Sequence, residues 1–370
     1  MLKIKSAYPI GLDIGKDHIY AAQFKKRGKK LAIRGLWHKS LDGAARDSDE
    51  FSDESNDVLV PFLRQIAEHK GFKGKKVVVH IPPQEIISFP IRFNVHTGES
   101  LEAVMVRESE KYLPFPIEEA VIDYPSISSP STEGYTATIV ASRKERIEHY
   151  LTVLKQSGMS AEVFDFGVST LLRLHHFLFT AAKDPIVLCN VGYTGSIIAI
   201  VHKDLIFANR YIDWGTKALI ENLQHNFKHL DDKKKASLFL KKYGLLYENQ
   251  KNRKKESEPL GNPEIDNILK VVYQISTPHI EELIHECHQI MAYVRSEFSN
   301  PPFAAIYIYG LATVIENLDQ YFEMRLGIPT KLVNPLLSSN FGVNNNLSDI
   351  TEGAPFALAL GTALRPVTWL

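Results

Sequence analysis

Asp13 and Gly15 stand where one apolar stretch, 10–14, ends and shortly before the next begins at Ile19. This pattern predicts a β-hairpin whose turn can approach a phosphate, because glycine lets the backbone come close to a ligand. The Asp13 carboxylate is of the kind that holds a metal ion or its waters. An aspartate in a turn also commonly caps its own backbone. The motif therefore leaves two interpretations open, a metal or phosphate site and an ordinary hairpin.

The same pattern returns halfway along the chain. An apolar stretch at 186–191 ends in a turn with Gly192 and Gly195, and strand-like stretches follow at 196–201 and 205–212. A supersecondary unit that occurs twice predicts two related halves, each offering a turn to a ligand held between them. A tight hairpin without a ligand remains the alternative for this second turn.

The composition is that of a globular protein with two or three domain-sized units. The 370 residues are 44% hydrophobic and 23% charged, which argues against disorder and against a fibre. Lysine plus arginine number 43, as do aspartate plus glutamate, so net charge gives no reason to expect nucleic acid as a partner. The two cysteines are far apart, so we expect a reducing, cytoplasmic compartment. We expect neither a signal peptide nor insertion into a membrane, since no apolar run approaches roughly 20 residues.

His285, Glu286 and His288 form a polar cluster in a stretch with helical periodicity. Histidines three residues apart on a helix are compatible with a zinc site, but the sequence shows no third ligand nearby. We therefore expect one polar face of a helix rather than a metal centre. No catalytic residue is predicted, because the sequence places no nucleophile beside a base.

Five segments carry a family resemblance, and they extend over most of the chain. They are Gly-Leu-Asp-Ile-Gly at 11–15, Tyr-Leu-Pro-Phe-Pro-Ile at 112–117 with acidic residues behind it, the repeated hairpin at 188–201, Tyr-Ile-Tyr-Gly at 307–310 and the small apolar segment 354–365. Together they resemble the actin-like ATPase superfamily and, within it, the PilM family of type IV pilus assembly proteins. The second and fifth segments are the specific ones, since phosphate-loop patterns alone are common.

The resemblance implies an actin-like (ribonuclease H-like) α/β fold of two domains, with a βαββαβ module inserted into the first. The first domain would comprise 1–83, 164–185 and 340–370. The inserted module would be 84–163, and the second domain 186–339. The order strand, helix, strand, strand, helix, strand within 84–163 agrees with such a module.

In this superfamily a nucleotide lies between the two domains, so the resemblance implies ATP with Mg²⁺. The residues that it places at the nucleotide are Asp13, Gly15, Lys16, Asp17, His18, Asn190, Gly192, Tyr193, Thr194, Gly195, Glu286, Gly310 and Leu311, with Asp13 also as the metal ligand. Asn190 replaces the usual aspartate and brings no charge to a cation. Leu311 replaces a further glycine, and Lys16, Asp17 and His18 replace small hydroxylated residues. These departures imply weak or absent ATP hydrolysis.

The resemblance also implies a partner, the short cytoplasmic N-terminus of a PilN-like single-pass inner-membrane protein. That peptide would lie in a groove between the first domain and the module, paired with a sheet edge. The groove residues would be Arg107, Tyr112, Phe115, Ile122 and Tyr124. We therefore expect a cytoplasmic scaffold held at the inner face of the membrane through this partner, with the pilus motor ATPase as a second partner.

Two other functions of the same fold remain as alternatives. An active small-molecule kinase needs a base near the acceptor hydroxyl and magnesium held by carboxylates, and Asn190 counts against it. A polymerising cytoskeletal protein is the other alternative, and the sequence does not decide against it.

Overall fold

The computed structural model describes residues 8–28, 30–41, 53–128, 134–245, 263–342 and 353–365. Those residues form strands β1 (Ile10–Ile14), β2 (His18–Arg27), β3 (Lys30–Ser40), β4 (Lys76–His80), β5 (Ile87–Phe93), β6 (Ala120–Ile127), β7 (Tyr135–Arg143), β8 (Ser160–Asp165), β9 (Ile186–Val191), β10 (Ser196–His202), β11 (Leu205–Ile212), β12 (Ala305–Gly310), β13 (Thr330–Leu332) and β14 (Phe341–Gly342). The helices are α1 (Asp53–Glu68), α2 (Leu101–Glu110), α3 (Lys144–Gln156), α4 (Gly167–Leu178), α5 (Thr216–Asn226), α6 (Lys233–Tyr243), α7 (Pro263–Glu297), α8 (Leu318–Leu326) and α9 (Ala357–Ala363).

The described residues form two compact units. The first contains the described parts of Met1–Ala181, Val201–Asn209 and Pro335–Leu370, and the second those of Ala182–Ile200 and Arg210–Asn334. The three-part division expected from the sequence stays a prediction. None of the helices in the described part of the chain combines the length and the apolar character needed to cross a membrane.

A six-stranded sheet organises the first unit, in the order β14-β3-β2-β1-β4-β8. Strand β1 pairs antiparallel with β2 and parallel with β4. Alternate residues of β1 point to opposite faces. Leu12 and Ile14 pack into a core with α1 and α3. Gly11 lies against α9, since a Cβ there would stand 2.2 Å from the Ala359 carbonyl oxygen.

A five-stranded sheet has the order β11-β10-β9-β12-β13. This order repeats that of β3-β2-β1-β4-β8 in the first sheet. In both sheets, counted along the chain, the strands lie side by side in the order third, second, first, fourth, fifth. Every residue of β9 and β12 is buried, as expected for central strands covered on both faces. The duplicated hairpin predicted from the sequence is therefore present as two sheets of the same strand order.

The segment 84–163 has the predicted order of elements, but its sheet contains three strands, β5-β7-β6. Helix α2 covers this sheet with Val104 and Met105. Strand β8 pairs in parallel with β4 instead, and α3 contributes Tyr150 to the core of the six-stranded sheet. The three-stranded sheet and the helix that covers it are thus formed by β5, α2, β6 and β7, and an inserted module of this kind stays a prediction. Local periodicity indicates each element but not the sheet that a strand joins.

Candidate functional site

The first turn, between β1 and β2, closes tightly. The backbone N–H of Gly15 donates to the His18 carbonyl oxygen at 2.9 Å, and the N–H of Leu41 donates to the Asp17 carbonyl oxygen at 2.6 Å. Lys16 is exposed, while Asp17 and His18 are half-buried. The His18 ring stacks on Tyr20 with ring centroids 5.8 Å apart. These contacts explain the hairpin without a ligand.

Asp13 is bound by a residue that sequence reasoning missed. Parallel pairing of β1 with β4 places His80 directly beside Asp13. The His80 Nδ1 and Asp13 Oδ1 atoms are 2.9 Å apart, and the two side chains are 3% and 14% exposed. An ionised carboxylate only accepts, so Nδ1 donates this hydrogen bond. The only signal in the sequence was a histidine that ends an apolar strand before two prolines.

The second turn, between β9 and β10, is held by backbone contacts. The Gly192 N–H donates to the Gly195 carbonyl oxygen at 2.9 Å. At the start of α5, the N–H of Thr216 donates to the Gly192 carbonyl at 3.1 Å, and that of Lys217 to the Tyr193 carbonyl at 2.8 Å. Unpaired amides at a helix N-terminus can bind an anion. Here two of them are already occupied by the turn.

Asn190 is the penultimate residue of β9 and Gly310 is the last residue of the neighbouring parallel strand β12, so the structure brings both predicted segments to the same end of the sheet. Gly310 has a φ of +83°, and a Cβ there would lie 2.2 Å from the Val191 carbonyl oxygen. Only glycine satisfies both conditions. Asn190 is buried, whereas Leu311 in the following short helix is half-buried.

Tyr193 and Thr194 complete the second turn. Tyr193 is buried, and the Lys233 Nζ atom lies 4.6 Å from the centre of its ring. Thr194 and Gly195 are half-buried. The turn thus contains a buried tyrosine ring with a lysine against it, as well as the predicted glycines.

Glu286 lies on α7, as expected for a polar helix face, and its Oε2 atom is 2.8 Å from the Arg210 Nη1 atom. Arg210 also donates to Gln289 Oε1 at 2.9 Å. The carboxylate predicted to contact a nucleoside is thus engaged in an ion pair.

The described residues do not fit a directly ligated divalent cation. Mg²⁺ prefers carboxylate oxygens, supplemented by waters and phosphates. Asp13 already accepts from His80, and Asn190 contributes no charge. Across the described ranges, no group of three or more His, Cys, Asp or Glu side chains has an arrangement that could hold a metal. Nucleotide binding by these turns stays a prediction.

A cavity of about 620 Å³ lies within the first unit, beside strand β6. Its apolar wall includes Ile81, Ile86, Val121 and Phe164. Its polar lining includes Asp165, Arg173 and Arg365, which we call the Asp165 cluster, as well as Asp123, Ser142 and Ser169.

The Asp165 cluster is a buried carboxylate held by two guanidinium groups. The Asp165 side chain is 1% exposed, and its two oxygens accept from Arg173 Nη1 and Arg365 Nη1, each at 2.9 Å. The Phe166 N–H adds a third hydrogen bond at 3.0 Å. A buried charge needs this degree of compensation.

The structure places one of the five predicted partner-binding residues, Ile122, on the cavity wall. Tyr124 packs against the core of the module. Phe115 lies under the Arg143 guanidinium at 4.2 Å, and the Tyr112 ring is 4.9 Å from that of Phe89.

Arg107, the fifth predicted partner residue, is exposed on α2 and bonds Glu99 at 2.8 Å. This hydrogen bond lowers the pKa of the Glu99 carboxyl. The prediction missed the Asp165 cluster, although an arginine within each of two otherwise apolar segments was a signal.

Comparison with known proteins supports the fold. Residues 11–367 match the family model described as type IV pilus assembly protein PilM. The chain resembles the solved structure titled "PilM-PilN type IV pilus biogenesis complex" at a TM-score of 0.75 and 21% identity, covering 98% of this chain and 99% of that one. The ethanolamine utilization protein EutJ from Carboxydothermus hydrogenoformans follows at 0.51 and 13%, covering 98% and 91%.

A third structure, MreB 5 of Spiroplasma citri bound to AMPPNP, has a TM-score of 0.48 at 13% identity, covering 97% of this chain and 95% of that one. That likeness is too distant to place a nucleotide in the present chain. The match at 0.75, with the repeated strand order of the two sheets, confirms the actin-like fold expected from the sequence. Since the family model covers nearly the whole chain, the protein belongs to the PilM family of type IV pilus assembly proteins.

Proposed function

We propose that this protein is a docking scaffold of a type IV pilus or a related secretion machine. It binds the short cytoplasmic N-terminal segment of a PilN-like single-pass membrane protein in the cavity beside β6. The family match and the likeness to a PilM-PilN complex support this partner. The observation that carries the proposal is a cavity of about 620 Å³ bordered by a sheet edge.

Strand β6 offers that edge. Among the described strands it pairs with β7 alone, in the order β5-β7-β6. An edge strand presents backbone N–H and C=O groups to which an extended peptide can add as a further strand. The pairing with β7 is irregular between Asp123 and Ser126, which confines the regular edge to the first half of β6.

The cavity matches a short peptide in size and chemistry. Ligand pockets commonly measure about 300–1,000 Å³, and they combine an apolar lining with a few polar groups. Ile81, Ile86 and Phe164 suit aliphatic side chains of a bound segment, and the Asp165 cluster supplies the polar end. Side-chain pockets beside a strand edge give a peptide specificity as well as affinity.

Membrane association follows from the partner, because the bound segment continues into a membrane-spanning helix of the other protein. Catalytic turnover of ATP is not part of the proposal. A kinase would need magnesium held by carboxylates. The Asp13–His80 hydrogen bond and the neutral Asn190 disfavour that alternative.

The test uses two valines of similar exposure. Val121 on β6 lines the cavity and is 43% exposed, whereas Val106 on α2 is 40% exposed and lies outside the cavity lining. A fluorescently labelled peptide from the N-terminus of the PilN-like membrane protein is titrated with the protein, and binding is followed by fluorescence anisotropy. We expect Val121→Glu to weaken binding at least about tenfold, or about 1.4 kcal/mol, because it places a charge on the apolar wall.

Val106→Glu is the matched control and should bind like the unsubstituted protein. Thermal unfolding of both variants checks that exposed substitutions leave the fold intact. Equal binding by all three proteins, or no binding by the unsubstituted protein at high micromolar concentration, contradicts the proposal.

A further inference from the structure

Helix α6 of the second unit has a charge unlike that of the chain as a whole. Its 11 residues include five lysines and no acidic residue, whereas basic and acidic residues balance over the full sequence. All five lysines are exposed, at positions 233, 234, 235, 241 and 242. Asp231 and Asp232 directly before the helix return two negative charges, so a local excess of positive charge remains.

One face of α6 packs into the second unit and fixes the orientation of the helix. Its buried residues are Ala236, Phe239 and Leu240. The Phe239 ring lies 4.5 Å from that of Tyr243, measured between ring centroids. Since the apolar residues that serve the core are all on this face, any apolar residue on the opposite face has another explanation.

Leu238 is such a residue, and it is 50% exposed. Lys234 and Lys235 come four and three residues before it, and Lys241 and Lys242 three and four residues after it. Residues three or four apart in a helix are neighbours on its surface. An exposed leucine thus stands among four lysines, and we call these five residues the Leu238 patch.

The lysines of α6 are not arranged to stabilise the helix. Three of the five occupy its first turn, where a positive charge opposes the helix dipole. Asp231 pairs with Lys235, and Asp232 caps the helix by accepting from the Lys235 N–H at 2.7 Å. Within the described ranges, however, neither Lys234 nor Lys241 forms an ion pair. An external anion explains this arrangement better than the stability of the helix does.

We infer that the Leu238 patch binds the surface of a membrane that contains anionic lipids, with its lysines at the headgroups and Leu238 inserted among them. Clusters of about four to eight basic residues on an amphipathic helix are typical of binding to anionic lipids. An apolar side chain surrounded by lysines suits the boundary between headgroups and acyl chains. A nucleic acid would engage the lysines through its phosphates but would leave the leucine without a role. Membrane binding of this kind needs no peptide in the cavity beside β6.

Co-sedimentation with lipid vesicles tests this membrane contact, with the full chain and no peptide present. One set of vesicles contains equal parts of phosphatidylcholine and phosphatidylglycerol, and the other contains phosphatidylcholine alone. We expect binding to the first set only, and a loss of binding as salt screens the charges. Lys234→Gln combined with Lys241→Gln should weaken binding about tenfold or more, because each lysine near an anionic surface contributes to the attraction. Leu238→Ser should weaken it about threefold, through the loss of an inserted apolar side chain.

Helix α3 offers matched controls. Leu151 is 43% exposed and is followed four residues later by Lys155, but α3 has two acidic residues among its three lysines and arginines. Leu151→Ser, and Lys144→Gln combined with Lys155→Gln, should bind vesicles like the unsubstituted protein. Thermal unfolding of every variant checks that these exposed substitutions leave the fold intact.

Three results would overturn the assignment. They are a failure of the unsubstituted protein to bind the phosphatidylglycerol vesicles in dilute salt, equal binding to both sets of vesicles, and equal losses in the α3 and α6 variants. Leu238→Ser that binds as tightly as the unsubstituted protein would show a purely ionic face and would also refute a lipid surface as its partner. Because no peptide is present, each of these results leaves the docking site beside β6 in place, and failure of the peptide titration leaves the Leu238 patch in place.

Discussion

The two hairpin turns of this protein have the same place in their sheets but are stabilised differently. In each sheet the first and second strands meet in a turn, and the fourth strand lies on the other side of the first. In the first turn a carboxylate, Asp13, is held by a buried imidazole, His80. In the second, a neutral Asn190 precedes a turn closed by backbone contacts.

The second turn is shaped by close backbone approach. A Cβ on Gly215 would lie 2.2 Å from the Tyr193 carbonyl oxygen, and one on Gly310 would lie 2.2 Å from that of Val191. In the first turn a Cβ on Gly15 would meet its nearest atom, the His18 carbonyl oxygen, at 3.2 Å. The two sheets thus share their strand order, while a polar side-chain contact stabilises the first turn and close backbone packing shapes the second.

The largest expected effect comes from an alanine in place of a glycine. Gly310→Ala should lower the free energy of unfolding by about 4 kcal/mol, since the strained backbone and the overlap with Val191 each cost about 1–3 kcal/mol. Gly15→Ala should cost less than about 1 kcal/mol. Urea denaturation followed by circular dichroism measures both.

Gly327→Ala separates the two causes, because Gly327 has a φ of +67° and a Cβ there would meet no atom within 4 Å. We expect it to cost about 1–2 kcal/mol, from the backbone alone. Similar losses for Gly15→Ala and Gly310→Ala would remove the steric distinction between the turns.

A second effect extends the comparison to the cores of the units. In the first unit, burial and then the neighbouring His176 lower the pKa of His175 to about 4. As the pH falls, His175 is therefore protonated in the unfolded chain at a higher pH than in the folded protein. The contribution of neutral His175 to the free energy of unfolding is complete above about pH 6.5 and is lost as the pH falls towards 4. At about 1.4 kcal/mol per pKa unit, the loss amounts to about 3 kcal/mol.

Urea titrations over this pH range, followed by fluorescence in variants that keep Trp37 or Trp214 as their single tryptophan, show which unit loses stability. The loss of stability in acid should appear in the Trp37 signal, and it should be smaller in His175→Gln. His176→Gln is the neighbouring control, because that side chain is 34% exposed and should leave most of the loss in place. An unchanged pH profile in His175→Gln would assign the acid sensitivity to other groups.

A third prediction concerns a charge introduced beside the second turn. Asn190→Asp places a carboxylate at a buried position of β9. We expect a loss of about 2 kcal/mol in neutral buffer, because a buried charge loses its hydration. The loss should shrink in mildly acidic buffer, where the carboxyl group is protonated. A variant as stable as the unsubstituted protein at neutral pH would show that the second turn tolerates a charge.

Sequence reasoning found the elements that carry strong local signals. The apolar runs of β1, β2, β9 and β10, with glycines in the turns that join the paired runs, predicted both hairpins. The same reasoning assigned the last strand of 84–163 to the inserted module, whereas β8 pairs with β4. A strand pattern contains no information about its neighbour in the sheet, so this error was of a kind that local patterns cannot prevent.

The candidate sites show the same limit. Asp13 and the glycines were visible as motifs, and Ile122, which the sequence analysis assigned to partner binding, lines the cavity. His80, Ser142 and the Asp165 cluster were not predicted, because each is an ordinary residue within a strand or helix. Their significance comes from contacts and burial, which a single sequence does not show.

By itself the sequence determined the duplicated hairpin, the order of the elements and the family, since these depend on short-range periodicity and on motifs. Only the tertiary structure decided what the polar residues contact. Asp13 and His80 are 67 residues apart, and Asp165 and Arg365 are 200 apart. Parallel strands need crossover connections, so residues distant in sequence become neighbours only when the sheet forms.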